Sequence, residues 1–402
     1  MITDLQDILS VGIKGMKRSA IRELLKFLGT PGLISFSGGF PSPQTFPTVE
    51  LKEIINEVMD TEAASALQYG ATEGDVLLRT LLVNRYRASG VDISIDNMII
   101  TTASQQALDL IAKIFINRGD SVILGLPSYL GGISAFNSYG AKMIGIPMDE
   151  EGEDPNIMEE KIKAEIAANN KPKFIYIIPD FQNPAGITMT EKRRKEIIAL
   201  AHKYDILILE DSPYRELRYE GEHQKTMYEL DGTGHVILLG TFSKIFCPGF
   251  RIGWVVGHPD VLDKIVVAKQ ATDLCTPPFT QRIAARYIEK GLLDPKISEI
   301  IKMYHGRRDV MLESLEKFMP ESFSWTKPEG GLFLMAKGPE NFDSNKILLD
   351  CIKEAKVAYV AGESFFCDGT GKNTMRLNFS YEDIDKNREG CERLGSYLHK
   401  IL

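Results

Sequence analysis

The sequence has no long hydrophobic run. Nowhere in its 402 residues do 18 apolar residues follow one another, which is about the length that a membrane-spanning helix needs. The N-terminal stretch MITDLQDILS contains two aspartates, where a secretory signal peptide would have a basic segment. A membrane protein and a secreted protein are both disfavoured, and we expect a cytoplasmic one.

Cysteine is scarce and scattered. The five cysteines form no CxxC pair and have no histidine at zinc-like spacing; they are Cys247, Cys275, Cys351, Cys367 and Cys391. Disulfide frameworks and zinc sites use cysteines at short, regular spacings. The pattern therefore predicts reduced cysteines in a reducing compartment and no metal centre.

An excess of positive charge is also absent. Lysine and arginine together number 47, against 55 aspartates and glutamates, which gives a formal net charge of −8. Phosphate backbones and anionic lipid surfaces attract basic proteins rather than acidic ones. Neither nucleic acid nor a membrane is expected as a partner.

What the sequence does contain is an alternation of strand-like and helical segments. Seven apolar runs between residues 98 and 257 are separated by helical patterns such as QQALDLIAKIF. This alternation predicts an α/β domain with a mostly parallel seven-stranded sheet flanked by helices. Beyond about residue 290, a long helix and short strands predict a smaller α+β domain. We assign residues 45–290 to the large domain, and residues 1–44 and 291–402 to the small one.

The stretch GTFSKIFCPGFRIGW places Lys244 in a turn between two predicted core strands. An ammonium group partly removed from water shifts toward its neutral, nucleophilic form, and such lysines form Schiff bases with carbonyl compounds. Nearby Thr241, Ser243 and Arg251 suit a phosphate dianion, to which arginine donates paired hydrogen bonds. The alternative is a solvated surface lysine, because a Ser-Lys pair alone carries little information.

Other polar residues follow predicted strands, where open α/β sheets bind their ligands. Ser104 and Gln105 stand at the start of a predicted helix, whose free N–H groups attract anions; the alternative for Ser104 is an ordinary helix cap. Asn183 precedes Pro184 in a predicted rigid turn, which by itself is more often only a turn.

An acidic residue ends another apolar run. Asp211 closes the predicted strand ILILED, and Tyr214 follows three residues later. A buried carboxylate is costly without a partner, and a cationic ring nitrogen would be such a partner. The alternative is a structural carboxylate that caps the next turn.

Together these segments resemble the pyridoxal-phosphate (PLP) dependent aminotransferases of the aspartate-aminotransferase fold type, fold type I, and most of all the subgroup of 2-aminoadipate and kynurenine aminotransferases. The resemblance extends from SFSGGFPSPQTFP at residues 35–47 to NTMRLNFS at residues 373–380. It implies an enzyme that moves an amino group between an L-amino acid and a 2-oxo acid by a ping-pong cycle of PLP and pyridoxamine phosphate (PMP).

The resemblance also implies which residues contact the cofactor's ring. Lys244 would carry PLP and act as the base that moves a proton. Asp211 would keep the pyridine nitrogen protonated, so that the ring accepts electrons. Tyr214 and Asn183 would hydrogen-bond the phenolic oxygen, and Tyr129, from the motif LPSY, would stack on the ring face.

The remaining implied contacts are with the phosphate and the substrate. The residues implied to bind the phosphate are Ser104, Gln105, Thr241, Ser243 and Arg251. Arg376 would bind the substrate's α-carboxylate through two hydrogen bonds, and Asn183 would lie beside it. Gly39 would let that carboxylate come close to the backbone.

The resemblance further implies a homodimer with shared active sites. Tyr69, in LQYGATEG, lies far upstream of the phosphate-binding motif. In the family, the matching tyrosine reaches the phosphate bound by the partner subunit. The alternative is a core or surface tyrosine in a glycine-rich loop.

Arg22 is predicted to bind the substrate side chain. It belongs to SAIRELLKFLG, which predicts a helix over residues 19–29. The apolar face of this helix comprises Ile21, Leu24, Leu25 and Leu28. In the subgroup, this helix closes over the substrate, so Arg22 would bind a distal carboxylate. The alternative is a solvated arginine paired with Glu23.

Two other functions share these motifs. A β-eliminating C–S lyase binds PLP in the same way, so the cofactor motifs alone do not establish transamination. A non-catalytic PLP-binding regulator usually has a fused DNA-binding domain, which we do not expect here because the family-like region begins within about the first 20 residues. Lys244, Asp211 and Arg376 together favour an enzyme, because a binding module needs no clamp for a substrate carboxylate.

Overall fold

The computed structural model describes residues 5–16, 18, 22, 24–27 and 29–402. Every helix in this part of the chain is too short or too polar to cross a membrane. The strands are β1 (Ile34–Ser35), β2 (Met98–Thr101), β3 (Ser121–Leu126), β4 (Lys142–Asp149), β5 (Gly152–Glu153), β6 (Phe174–Ile177), β7 (Leu207–Asp211), β8 (Val236–Thr241), β9 (Gly253–Val256), β10 (Ser324–Trp325), β11 (Phe333–Lys337), β12 (Val357–Ala358), β13 (Val360–Ala361) and β14 (Thr374–Asn378). The α-helices are α1 (Leu5–Ile8), α2 (Val11–Gly15), α3 (Thr48–Thr61), α4 (Ala63–Ala66), α5 (Val76–Ala88), α6 (Ala103–Phe115), α7 (Leu130–Ser138), α8 (Pro155–Ala167), α9 (Glu191–Tyr204), α10 (Met227–Asp231), α11 (Pro259–Gln270), α12 (Pro278–Glu289), α13 (Leu293–Phe318), α14 (Ser344–Glu354) and α15 (Ile384–Ile401).

The seven predicted core strands form one sheet in the order β2-β9-β8-β7-β6-β3-β4, and the two-residue strand β5 extends its edge. Strands β3, β4, β6, β7 and β8 pair in parallel, whereas β9 is antiparallel to both its neighbours. Ile175 and Ile177 of β6 pack in one apolar cluster, and Phe174 and Tyr176 pack in another. Because successive strand residues point to opposite faces, helices cover both sides of the sheet, as predicted.

A smaller antiparallel sheet lies in the C-terminal part of the chain, in the order β10-β11-β14-β13. The N-terminal segment joins it because β1 pairs in parallel with β12, and the long helix α13 packs against α15. This pairing supports the proposal that residues 1–44 and 291–402 form one domain and residues 45–290 the other.

The predicted helix over residues 19–29 is described only in part. Arg22 and Leu24 have helical backbone, and Leu25–Phe27 form a 3₁₀-helix. Within this range, residues 19–21, 23 and 28 lie outside the described part of the chain. Ile21, Glu23 and Leu28 are among them. Leu24 is buried in a small apolar cluster with Phe365 and Val360, while Arg22 is exposed.

Candidate active site

A cavity of about 610 Å³ lies where β7 and β8 end. Parallel strands present their carboxyl ends at one edge of the sheet, so the residues that follow them meet there. The residues predicted for the phosphate all line this cavity: Ser104, Gln105, Thr241, Ser243 and Arg251. So do the residues predicted for the cofactor's ring: Tyr129, Asn183, Asp211, Tyr214 and Lys244. The residues predicted for the substrate line it as well: Arg22, Gly39, Asn183 and Arg376.

The start of α6 lies close to the turn that contains the lysine. A Cβ built on Gly253 would lie 2.6 Å from the Ser104 nitrogen, so only glycine lets β9 approach this helix end. Thr241 Oγ1 and Ser243 Oγ are 2.8 Å apart. Hydroxyl groups, free N–H groups at a helix start and the Arg251 guanidinium thus converge on one cavity. This donor set fits a phosphate dianion.

Lys244 is held beside the backbone of the N-terminal segment. Its Nζ donates a hydrogen bond to the Gly39 carbonyl oxygen at 2.7 Å. Burial and the positive charges of Arg376 and Arg251 together lower the pKa of Lys244 to about 8, although the Asp211 charge opposes the shift. A substantial neutral fraction therefore exists near physiological pH, as a nucleophilic amine requires.

Asp211 has one satisfied and one unsatisfied oxygen. Its side chain is buried, and its Oδ2 accepts a hydrogen bond from the Tyr176 hydroxyl at 2.8 Å. Its Oδ1 is also buried, and no group in the described part of the chain donates to it. Burial raises the pKa of Asp211 to about 7. A protonated pyridine nitrogen supplies the donor and the positive charge that this carboxylate needs, so the residue fits PLP.

Arg376, Asn183 and Tyr214 form a connected hydrogen-bond chain. Arg376 Nη1 donates to Asn183 Oδ1 at 3.0 Å, and Asn183 Nδ2 donates to the Tyr214 hydroxyl at 3.1 Å. Arg376 is fully buried on β14, where burial lowers its pKa to about 10. A carboxylate bound in the cavity would offset this cost. A Cβ on Gly39 would lie 4.0 Å from Arg376 Nη2, so a larger residue at this position would take up space beside the guanidinium.

Sequence reasoning missed two kinds of residue. Tyr176 donates a hydrogen bond to Asp211 from inside the apolar strand β6, a position at which the sequence predicted no site residue. Phe333 and Phe40 line the cavity, and the Arg376 guanidinium lies 4.1 Å from the Phe333 ring centroid. The one available signal was the phenol hydroxyl of Tyr176 within the otherwise apolar strand FIYI, residues 174–177.

Tyr69 is the one predicted residue that does not line this cavity. It is 80% exposed and lines a different cavity of about 890 Å³ beside α12. A single chain therefore does not bring Tyr69 to the other site residues, and its role stays a prediction about a second subunit.

The model of the family "Aminotransferase class I and II" matches residues 34–394. The chain belongs to this family. An aromatic-amino-acid aminotransferase of Thermococcus litoralis is 48% identical over 389 residues, 96% of this chain and 93% of that protein. A 2-aminoadipate transaminase of Thermus thermophilus is 36% identical over 394 residues, 97% of this chain and 96% of that protein.

The fold agrees with a solved aminotransferase structure. A crystal structure of Pyrococcus horikoshii kynurenine aminotransferase in complex with PMP has a TM-score of 0.95 and 48% identity, and the match covers 100% of this chain and 99% of that one. The aminotransferase thus has fold type I, uses PLP as its cofactor, and transfers amino groups between amino acids and 2-oxo acids. The predicted family, fold and cofactor are confirmed.

Proposed function

We propose that this aminotransferase accepts dicarboxylic donors, such as glutamate and 2-aminoadipate, as well as aromatic or aliphatic ones, with an acceptor such as 2-oxoglutarate. One observation carries the proposal: Lys244 with its lowered pKa, Asp211 with an unpaired carboxylate oxygen and the buried Arg376 line one cavity with aromatic walls. The relatives named for aromatic amino acids and 2-aminoadipate support this range. All five cysteines are free thiols, which supports a location in the reducing cytoplasm.

The residues divide the work by their chemistry. Bound PLP supplies an aldehyde that combines with amines and a ring that withdraws electrons. Lys244 Nζ holds and returns a proton at the substrate's Cα, because its lowered pKa suits a general base near neutral pH. Arg376 binds the α-carboxylate and thereby orients the Cα–H bond. Asp211 Oδ1, which has no donor in the described part of the chain, would accept a hydrogen bond from the ring nitrogen.

A half-reaction tests the proposed activity directly. Glutamate added alone to the PLP-loaded enzyme should convert the bound cofactor to PMP and release one 2-oxoglutarate per active site. A C–S lyase would instead produce pyruvate and ammonia from cysteine-type substrates with no acceptor, and a regulator would leave the absorption spectrum of PLP unchanged. Either of those results would contradict transamination.

Arg22 is proposed to distinguish dicarboxylic from apolar donors. It is exposed at the cavity that Arg376 lines. Arg22→Ala should lower kcat/KM for glutamate and 2-aminoadipate about tenfold, the lower end for a charge-assisted hydrogen bond at an exposed site. The same change should alter kcat/KM for leucine or phenylalanine less than about twofold.

The matched control for this prediction is Lys14→Ala, which removes an exposed N-terminal cation that does not line the cavity. It should leave the ratio of glutamate to phenylalanine activity unchanged. Equal losses for both donors with Arg22→Ala, or no loss, would show that Arg22 does not bind the distal carboxylate.

We also propose a homodimer in which Tyr69 completes the partner's site. The exposed side chains around it support an interface, because Leu67 is 65% and Val76 is 63% exposed. Tyr69→Phe should weaken PLP binding about tenfold, as expected for a lost hydrogen bond to a charged phosphate. The control is Tyr204, a half-buried residue at the end of α9 whose hydroxyl donates a hydrogen bond to Glu159; Tyr204→Phe should leave PLP binding unchanged.

Hybrid dimers test whether the site is shared. If one subunit carries Lys244→Ala and the other Tyr69→Phe, both defects fall in the same site and the second site is intact. The hybrid should therefore contain one site with wild-type kcat/KM and PLP affinity. A fully active monomer in sedimentation, or a hybrid without any wild-type site, would refute the shared arrangement.

A further inference from the structure

We propose that Tyr176 is a positioning residue that acts through Asp211 on the cofactor's ring nitrogen. The inference rests on the proposed role of Asp211. Tyr176 Oη donates a hydrogen bond to Asp211 Oδ2 at 2.8 Å, and both side chains are buried. Within the described part of the chain, Tyr176 is not among the residues that line the cavity. Its effect on the cofactor therefore has to pass through the carboxylate.

The phenol is held by the sheet rather than by a loop. Tyr176 lies on β6, which pairs in parallel with β7, the strand that ends at Asp211. Its ring packs edge-on against Phe136 at 5.3 Å between centroids. A Cβ on Gly132 would lie 2.8 Å from the ring, so the glycine gives the ring its space. The direction of the hydroxyl is thus determined by the packed core.

This geometry leaves Asp211 with one oxygen for the cofactor. Because Tyr176 satisfies Oδ2, the carboxylate does not turn freely, and Oδ1 stays without a donor in the described structure. The hydroxyl also lowers the pKa of Asp211, against the burial that raises it. Burial and the Asp211 charge raise the pKa of Tyr176 well above its ordinary value, so the phenol remains a donor. The hydrogen bond thereby favours an ionised, oriented carboxylate.

Tyr176→Phe removes this hydroxyl and keeps the ring that packs on Phe136. The variant should bind PLP about tenfold more weakly and lose about tenfold in kcat/KM, the lower end expected for a hydrogen bond to a charged group. The decisive comparison uses deaza-PLP, in which carbon replaces the ring nitrogen. The wild type and Tyr176→Phe should bind deaza-PLP with the same Kd, because that analogue has no N–H for Asp211 to accept.

The matched control is Tyr359→Phe. Tyr359 is equally buried and donates its hydroxyl hydrogen to the Ser344 carbonyl oxygen at 2.7 Å, away from the cavity. This control should leave the Kd values for PLP and deaza-PLP unchanged. If Tyr176→Phe weakened the binding of PLP and of deaza-PLP equally, or weakened the binding of neither, the residue would have only a packing role and the inference would be wrong.

Asp211→Asn separates this inference from the proposal on which it rests. One outcome is that Asp211→Asn weakens the binding of PLP but not of deaza-PLP while Tyr176→Phe changes the Kd of neither. In that case Asp211 keeps its role and only the inference about Tyr176 fails. If Asp211→Asn leaves the Kd for PLP unchanged, the role of Asp211 fails and the inference fails with it. If both variants selectively weaken the binding of PLP, their effects on its Kd should be less than additive in the double variant, because they disrupt one connected pair.

Discussion

Lys244→Ala should lower kcat about 10⁴-fold or more, because in the proposed mechanism Lys244 is both the nucleophile that carries PLP and the base that moves the proton. The protein should stay folded and still bind PLP without a covalent link. Lys244 is only partly buried, and the hydrogen bond described for its Nζ goes to the Gly39 carbonyl. The residues proposed to bind the cofactor's phosphate and ring remain available in the variant.

Borohydride reduction of the native enzyme identifies the lysine directly. The pyridoxyl label should appear on Lys244 and be absent from the Lys244→Ala variant after digestion and mass spectrometry. Lys269 provides an internal comparison because it is fully buried. Burial lowers the pKa of Lys269, but its ion pair with Asp273 at 2.8 Å opposes that shift. A label on Lys269 or on any other lysine would overturn the assignment.

Asp211→Asn should lower kcat/KM about 10³-fold, equivalent to about 4 kcal/mol for the loss of one partner from a buried ion pair. Asparagine has nearly the same shape, so the loss reports the charge rather than packing. The asparagine amide offers the ring nitrogen either an N–H donor or a neutral oxygen, whereas a protonated ring nitrogen is best paired with a negatively charged oxygen. Steady-state kinetics with saturating PLP measure the effect apart from cofactor affinity.

A control for this prediction changes a buried carboxylate that does not line the cavity. Asp180 is buried and pairs with Arg194 at 2.7 Å, so Asp180→Asn should lower the melting temperature while kcat/KM of the folded fraction stays close to wild type. If Asp211→Asn behaved in the same way as Asp180→Asn, its role would be structural.

Positive charge exceeds negative charge among the ionisable groups that line the cavity. The basic residues are Arg22, Lys244, Arg251 and Arg376, and the acidic one in the described lining is Asp211. Burial lowers the pKa of Lys244 and Arg376 and raises the pKa of Asp211. Each shift favours the neutral form of the group. An anionic phosphate and a substrate carboxylate relieve this imbalance, so we expect ligand binding to stabilise the fold.

Several parts of the molecule were predictable from the sequence alone. Apolar runs and helical periods are local patterns, and they predicted the mostly parallel seven-stranded sheet and the long helix α13. The motif around Lys244 was recognisable because the residues predicted to bind the cofactor there lie within about 15 positions of one another. Motifs spread over the chain identified the family, since their order needs no knowledge of distances.

The tertiary structure decided which distant side chains meet. Arg376 and Asn183 are 193 residues apart, and Lys244 and Gly39 are 205 apart, yet each pair is joined by a hydrogen bond. Tyr176 reaches Asp211 because β6 and β7 are neighbours in a particular register, and local hydrophobic patterns do not encode strand order. Burial in the assembled core then shifted the pKa of Lys244 and Asp211, because desolvation depends on everything packed around a group.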